Sequence, residues 1–392
     1  MLYFFNPGHE TAILNASPYY TPPAVQLKMQ SDLAYLPAWY ATKDDYVWTA
    51  CDIPQNYMQF IEERLGNMPV AVSSQNLKTL SRDITGETVN LWGISPHSIR
   101  VFEEINRKYD LKLGIPTWNS EYKRLSSRLE AKNCLEYLVK LLPGIAEDII
   151  PVYHTSVESI ELQIMEAPDN YIVKSPYSSS GRGLLWLSPG RMDRSSRQIL
   201  QGMLNRQSAV SLEKALNKQL DFSMQFYADG KGDIIYQGLT VFETDTKGNY
   251  MGTRVGDLPD LSLYGIANLS VPEELLRAYL KSHYANLYQG HLGVDMMIYE
   301  QSGQYFLHPC VEINMRTTMG YLALQLQNRL YRKDIYGYFH IDFSNKERDT
   351  LRKHQELSEM YPLKCQDDLI VSGYLPLCPV NEDTWYHAYL LI

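Results

Sequence analysis

Three polar side chains alternate with apolar ones in the segment 306–320. Glu312, Asn314 and Arg316 are separated by single apolar residues. Side chains two apart on a β-strand share a face, so these three would point in one direction. Mg²⁺ takes oxygen ligands from one or two protein groups plus phosphates, and a guanidinium holds an oxyanion through parallel hydrogen bonds. The pattern predicts a metal and anion site, unless it is only the solvated face of a half-buried strand.

A further carboxylate, Asp295, interrupts the apolar run 292–299. A carboxylate in a buried strand must be paired or bind a cation to offset its lost hydration. A short turn at 301–304 separates this run from the segment that carries Glu312, which predicts an antiparallel hairpin. We expect Asp295 and Glu312 to converge on one ion, the alternative being that Asp295 caps a turn.

A lysine precedes a loop of small residues. Lys174 ends the apolar run 171–175, and residues 178–183 are rich in Ser and Gly before a second apolar run at 184–187. Such a loop exposes backbone N–H groups that can close over a phosphate. Arg128 lies near the start of a helical pattern over 122–142. The alternatives are an exposed hairpin and a solvated arginine.

The elements that must position these side chains follow from periodicity. In residues 1–116, short apolar runs alternate with helical patterns, which predicts an α/β fold with a parallel sheet. Loops at 6–10 and 95–97 follow predicted strands, where open α/β sheets bind ligands, although ordinary turns would look the same. Residues 114–116 mark a boundary. A second segment, 117–207, contains the lysine hairpin, and the third, 208–392, is rich in strands.

Composition excludes several classes of protein. The 392 residues are 45% hydrophobic and 21% charged, enough for two or three folded domains. The net charge of −9 argues against non-specific nucleic-acid binding. No stretch approaches the ~20 apolar residues that span a bilayer, and five widely spaced cysteines suggest free thiols. We therefore expect a cytoplasmic protein that binds neither nucleic acid nor membrane.

In order and spacing, the motifs between residues 128 and 320 resemble those of the ATP-grasp superfamily of ATP-dependent ligases. The resemblance implies a pre-ATP-grasp-like α/β domain (1–116), then a two-subdomain ATP-grasp fold with a small subdomain (117–207) and a large subdomain with a C-terminal tail (208–392). The run 172–187 looks like the lysine strand and phosphate loop of the family. The resemblance implies that the phosphates are bound by Arg128 and by five residues of this run: Lys174, Ser179, Ser180, Gly181 and Gly183.

Two further matches extend the implied site. The segment 210–226 is similar to the adenine-binding hinge of D-alanyl-D-alanine ligases, so that Glu213, Lys214 and Leu216 would frame adenine and Asp221 would bind ribose. The family's magnesium ligands match three residues of this chain: Asp295, Glu312 and Asn314. The Asn-x-Arg at 314–316 is similar to that of biotin carboxylase, whereas Gly293 stands where D-alanyl-D-alanine ligases carry arginine, which argues against a dipeptide-ligase substrate.

The resemblance implies an ADP-forming reaction with ATP and one or two Mg²⁺ ions, for which Mn²⁺ could substitute. A small-molecule or peptide carboxylate would attack the γ-phosphate, and an amine would capture the acyl phosphate. Arg316 would hold the carboxylate and stabilise the oxyanion. Arg254, between Gly252 and Gly256, is interpreted as part of a mobile loop that closes on substrate, or else as a solvated arginine. A small-molecule kinase and a non-catalytic nucleotide-binding protein are the alternatives, and a homo-oligomer stays open.

Overall fold

The computed structural model describes residues 1–166, 168–178, 183–190, 192–246, 248–266, 268–332 and 334–392. By its internal contacts the chain forms two compact units. The first contains residues 1–119, 251–259 and 316–392, and the second contains 120–250 and 260–315. The predicted domain boundaries at residues 116 and 207 stay a prediction, because these contacts define units whose segments are discontinuous in the sequence.

A four-stranded parallel sheet forms the beginning of the first unit. Its elements, with a short 3₁₀ helix at Leu36–Trp39, are β1 (Leu2–Phe4), α1 (His9–Asn15), α2 (Ala24–Asp32), β2 (Tyr46–Trp48), α3 (Gln55–Leu65), β3 (Val70–Val72), α4 (Leu77–Ile84), β4 (Val89–Leu91) and α5 (Pro96–Tyr109). The strand order is β3-β2-β1-β4, and every neighbouring pair is parallel. The predicted open α/β sheet is confirmed.

Two antiparallel sheets build the second unit. The elements in this part of the chain are α6 (Glu121–Leu125), α7 (Arg128–Leu141), β5 (Val152–His154), α8 (Val157–Glu166), β6 (Tyr171–Lys174), β7 (Leu184–Leu187), α9 (Arg194–Gln207), β8 (Val210–Lys214), β9 (Asn217–Asp229), β10 (Ile234–Thr244), β11 (Tyr250–Gly256), α10 (Ser270–His283), β12 (Gln289–Gln301) and β13 (Gln304–Asn314). The smaller sheet has the order β5-β8-β6-β7, and the strands that this unit contributes to the larger sheet run in the order β13-β12-β9-β10. Both predicted hairpins, β6-β7 and β12-β13, are confirmed.

The helical pattern over 122–142 contains two helices, α6 and α7, with a break at residues 126–127. Ser127 caps α7, and its hydroxyl accepts a hydrogen bond from the Leu129 amide. Serine competes with the helix for backbone hydrogen bonds and therefore favours caps over helix interiors. As a result Arg128 becomes the first residue of α7, and its amide donates to the Pro176 carbonyl at 3.0 Å.

The C-terminal elements complete the first unit. They are α11 (Met319–Gln327), β14 (Tyr336–Phe343), α12 (Asp349–Met360), β15 (Lys364–Gln366), β16 (Leu369–Ser372), β17 (Tyr374–Pro376) and β18 (Tyr386–Leu391). β14 pairs with β11 and β18, and β18 also pairs with β17. Their apolar side chains, such as Leu375 and Leu390, share a core with Phe5 and Trp39. This shared core explains why residues 316–392 group with residues 1–119. Among the described helices, none is long and apolar enough to span a membrane.

Trp39 provides a test of this shared core. Its side chain is 2% exposed, and its Nε1 donates to the Leu377 carbonyl at 2.7 Å. We predict that Trp39→Phe lowers the free energy of unfolding by about 1–3 kcal/mol, because it leaves a buried carbonyl unpaired and a small void. Urea denaturation followed by circular dichroism measures the change. The control, Trp186→Phe, alters a side chain that is 47% exposed and should stay within about 0.5 kcal/mol. Equal effects would contradict the assignment.

Candidate functional site

The three predicted metal ligands lie together at the end of the β12-β13 hairpin. Asp295 and Glu312 are opposite each other in the strand register. The Asn314 side-chain amide donates to Asp295 Oδ2 at 3.0 Å. The register shifts before Met297, opposite residues 309–311, where Pro309 lacks a backbone donor. Two carboxylates and an amide oxygen are a suitable set for a hard cation that also keeps water or phosphate ligands. Among the described residues, no three His, Cys, Asp or Glu side chains form a metal-binding group.

Arg128 forms an ion pair with one of these ligands. Its Nη2 lies 2.9 Å from Glu312 Oε2, and the two side chains are 10% and 21% exposed. Burial lowers the pKa of Arg128, but the carboxylates of Glu312, Glu213 and Asp295 raise it above its ordinary value. The guanidinium is therefore a buried permanent cation held among acidic groups.

A second ion pair lies in the smaller sheet of the same unit. Lys174 on β6 and Glu213 on β8 occupy neighbouring strands, and Lys174 Nζ lies 2.5 Å from Glu213 Oε2. The Ser211 hydroxyl donates to the other oxygen at 2.8 Å. Burial raises the pKa of Glu213, but the nearby cations Lys174 and Arg128 lower it by more. The pKa of Glu213 therefore lies below its ordinary value of 4.5. Glu213 is therefore ionised at neutral pH.

Three buried polar atoms around these ion pairs have no hydrogen-bond partner among the described residues. They are Arg128 Nε, Tyr153 Oη and His308 Nδ1. Tyr153, on β5, is influenced electrostatically by Glu213 and Arg128. Burial and the neighbouring Lys174 lower the pKa of His308 to about 4, so its ring is neutral at pH 7. An unpaired buried polar group costs about 1–3 kcal/mol, and three of them together favour a polar ligand that would supply the partners.

The predicted phosphate loop is only partly within the described chain. Ser179, Ser180 and Gly181 lie outside the described residues. Gly183 is described: its φ of +74° is the left-handed region that favours glycine, and its carbonyl accepts from the Ser175 amide at 3.2 Å.

Three of the four predicted adenine and ribose residues, Lys214, Leu216 and Asp221, take no part in the two ion pairs. Lys214 Nζ contacts Asp148 at 2.6 Å and Asp169 at 3.3 Å. Leu216 is half-buried in the turn between β8 and β9. Asp221 on β9 accepts hydrogen bonds from the Lys218 ammonium at 2.6 Å and the Thr244 hydroxyl at 2.9 Å. Of the hinge segment, the structure brings only Glu213 into the ion-pair cluster.

Arg254 lies on a strand, so its interpretation as part of a mobile loop is wrong. It occupies β11 opposite Tyr338, and its guanidinium stacks 3.8 Å from the centre of the Tyr336 ring. The flanking glycines give close packing and not a flexible loop. A Cβ at Gly252 would lie 2.8 Å from the Phe339 carbonyl oxygen, and one at Gly256 would lie 2.2 Å from that of Ile335.

Arg316 belongs to the first unit and has a buried carboxylate partner there. The strand ends at Asn314, so the predicted shared face does not extend to Arg316. Arg316 Nε donates to Glu10 Oε1 at 2.5 Å, and the side chains are 17% and 11% exposed. Burial raises the pKa of Glu10, but the Arg316 guanidinium contributes to a larger lowering. The pKa of Glu10 therefore lies well below its usual range, and the carboxyl group stays ionised even at acidic pH.

Sequence reasoning missed several residues of this site. His308 had a signal, because it is an even number of residues from Glu312 in the same strand. Glu10 lay in the loop 6–10 that was already suspected of ligand binding, but its pairing with Arg316 spans 306 residues. Tyr153 had no signal, since a single tyrosine in a short strand is common.

Comparison with known proteins shows that this chain is similar to solved structures in fold only. No family model and no curated protein sequence matches the chain. The fold is similar to the crystal structure of N5-carboxyaminoimidazole synthetase from Staphylococcus aureus with ADP, at 13% identity and a TM-score of 0.49, covering 100% of this chain and 92% of that one. The biotin carboxylase domain of the Hydrogenobacter thermophilus 2-oxoglutarate carboxylase, in complex with MgADP, ADP and bicarbonate, gives 10% identity, a TM-score of 0.48 and coverage of 100% and 85%. A third similar structure, N5-carboxyaminoimidazole ribonucleotide synthetase from Thermus thermophilus, gives 13% identity, a TM-score of 0.45 and coverage of 100% and 93%.

The Lys174–Glu213 pair predicts a specific pH dependence. Because the folded pKa of Glu213 is lowered, its contribution to stability is complete above its ordinary value of 4.5 and is lost as the pH falls through the folded pKa. Glu213→Gln should lower the free energy of unfolding by about 3 kcal/mol at pH 7, since it leaves Lys174 buried without its carboxylate. The difference from wild type should shrink below pH 4.5.

Urea denaturation at several pH values measures this difference. The control, Asp233→Asn, removes an exposed carboxylate that pairs with Lys281, and it should change stability little at any pH. A constant difference between wild type and Glu213→Gln across the acid range would contradict the predicted linkage.

Proposed function

We propose that this chain is an ADP-forming ligase that joins a small-molecule carboxylate to an amine at the expense of ATP. The observation that carries the proposal is the cluster in the second unit. Two buried cation–carboxylate pairs, Arg128–Glu312 and Lys174–Glu213, lie near three buried polar atoms that have no hydrogen-bond partner in the described part of the chain. Such a group of ionised and unsatisfied side chains is typical of a ligand site.

The charges of the cluster suit magnesium-bound ATP. Without ligand, each cation is neutralised by a carboxylate. Magnesium-bound ATP brings both a cation and anionic phosphate oxygens, so the residues of the two ion pairs could exchange partners. The phosphates would bind Lys174 and Arg128. Glu312, Asp295 and Asn314 would hold Mg²⁺. Glu213, which would lose Lys174 to the phosphates, would keep the hydrogen bond from the Ser211 hydroxyl. Bound Mg²⁺ would supply Lewis-acid chemistry by neutralising the charge that develops on the phosphates during transfer.

Other residues have proposed roles that rest on the motif resemblance. Backbone N–H groups of residues 179–183 would cover the phosphates. Glu213, Lys214 and Leu216 would frame adenine, and Asp221, now engaged by Lys218 and Thr244, would bind the ribose hydroxyls. The three segments 1–116, 117–207 and 208–392 would supply substrate specificity, the lysine strand with its loop, and the metal ligands. Free cysteines support a cytoplasmic location.

The ligase step assigns a role to Arg316. In this proposal its guanidinium holds the substrate carboxylate and then stabilises the oxyanion formed when an amine attacks the acyl phosphate. Glu10 holds the guanidinium in place through Nε, and Nη1 donates to the Thr317 carbonyl at 3.2 Å. Arg254 has no role in this proposal, because it stacks on Tyr336.

Nucleotide binding is the first requirement. We predict that ATP with Mg²⁺ stabilises the protein by about 2.7 kcal/mol at one hundred times the dissociation constant, measured by thermal shift. The double variant Lys174→Met/Glu213→Gln removes both charges of one pair without leaving the other unpaired, and it should bind ATP at least tenfold more weakly. Lys281→Met, which removes an exposed lysine of the same unit, is the control. Unchanged affinity in the double variant would exclude Lys174 from the nucleotide site.

Product analysis tests the reaction class. The twenty protein amino acids, which supply carboxylates and amines together, are incubated with MgATP and with or without hydroxylamine. We expect equal amounts of ADP, phosphate and condensed product, and a hydroxamate when hydroxylamine traps the acyl phosphate. Arg316→Lys keeps the charge but loses the planar fork, and should reduce turnover by ~10²–10³ while ATP still binds. A stable phosphorylated product that resists hydroxylamine would indicate a kinase instead.

A further inference from the structure

A buried histidine lies beside Arg316 at a position where sheets of this kind bind ligands. His9 is the first residue of α1, five residues after the end of β1. Residues beyond the carboxyl ends of parallel strands line the ligand crevice in open α/β folds. The whole residue is 2% exposed, and it is followed in the chain by Glu10, the partner of Arg316.

Backbone packing, and not hydrogen bonding, fixes the His9 ring. A Cβ at Gly93 would lie 2.4 Å from His9 Cγ, so the ring rests directly on the Gly93 backbone. Asn6 holds that backbone from both sides: its Nδ2 donates to the Gly93 carbonyl at 2.7 Å, and its Oδ1 accepts from the Gly93 amide at 3.1 Å. Only glycine at position 93 allows this contact, so the ring is held in one place.

Neither ring nitrogen of His9 has a hydrogen-bond partner among the described residues. Nδ1 lies 3.7 Å from Glu10 Oε1, beyond hydrogen-bond distance, and the same oxygen accepts from Arg316 Nε. A buried imidazole with two unsatisfied nitrogens carries an uncompensated loss of hydration. The protein therefore holds, in a fixed position beside the Arg316 cluster, a proton-exchanging group whose bonding capacity is unused.

We propose that His9 is the general base that takes the proton from the amine nucleophile; the inference rests on the proposed ligase function. The amine nitrogen forms a bond to the acyl carbon, the bond from that carbon to the phosphate oxygen breaks, and phosphate leaves with the electron pair. The N–H proton passes to the lone pair of the His9 ring. Imidazole suits this task because it exchanges protons readily near neutral pH.

Glu10 acts as a positioning residue in this mechanism. With the ring proton on Nδ1, which faces the carboxylate, the lone pair lies on Nε2 and is available to the amine. Arg316 in turn fixes Glu10 through its Nε. The arrangement follows the logic of a carboxylate that orients a histidine base.

The test compares two nucleophiles that attack the same acyl phosphate. Hydroxylamine is largely uncharged at neutral pH and strongly nucleophilic, so it needs little help from a base. With the amino acid that gives the highest turnover, His9→Gln should lower formation of the amide product by ~10²–10⁴ but leave hydroxamate formation within about threefold of wild type. His354→Gln, which changes a half-buried histidine on α12 of the same unit, is the matched control and should keep the wild-type ratio of the two products.

Two more variants separate loss of the base from loss of folding. Gly93→Ala keeps His9 but displaces its ring, and Glu10→Gln keeps the ring but removes the orienting charge. Both should lower the ratio of amide to hydroxamate, a quantity that a general loss of folded protein does not change. An unchanged ratio in His9→Gln and Gly93→Ala would overturn the role of His9. Absence of hydroxamate with the wild type would instead overturn the proposed ligase function.

Discussion

The candidate site depends on the burial of opposite charges in the second unit. Arg128 and Lys174 are cations with about a tenth of each side chain exposed, and each survives there because a carboxylate lies within 3 Å. Removing either partner would leave a buried charge, which is among the most destabilising changes a protein can undergo. The ligand proposed for this site, an anion that brings its own cation, would offer new partners to charges of both signs, whereas a ligand of one charge alone would leave part of the cluster unpaired.

The fold meets this requirement with few elements. The two carboxylates come from different sheets, β8 and β13, while the two cations come from β6 and from the first residue of α7. The break at Ser127 matters because it places Arg128 at a helix start, where the capped backbone holds the residue in a defined position. Tyr153 and His308, whose buried polar atoms lack a hydrogen-bond partner among the described residues, lie on β5 and β13, and β13 also carries Glu312.

Several features of the fold and of the candidate site could be predicted from the sequence, because they depend on local signals. The parallel sheet, the two hairpins and the pairing of Asp295 with Glu312 follow from apolar runs and short turns, which are local signals. The break at Ser127 and the strand position of Arg254 were missed, since one serine pair interrupts a strong helical pattern and two glycines look like a loop. The Glu10–Arg316 contact could not be predicted, because local patterns carry no information about residues 306 positions apart.

The return of residues 316–392 to the first unit has a consequence for synthesis on the ribosome. Residues 1–119 emerge well before Leu375, Leu377 and Leu390, which belong to the same core. The second unit, residues 120–250 and 260–315, can bury its own cores before the first unit has all of its strands. Until residues 316–392 are synthesised, the parallel sheet keeps apolar surface uncovered around Trp39. The chain is thus exposed to aggregation during this interval, when a chaperone would have most effect on yield.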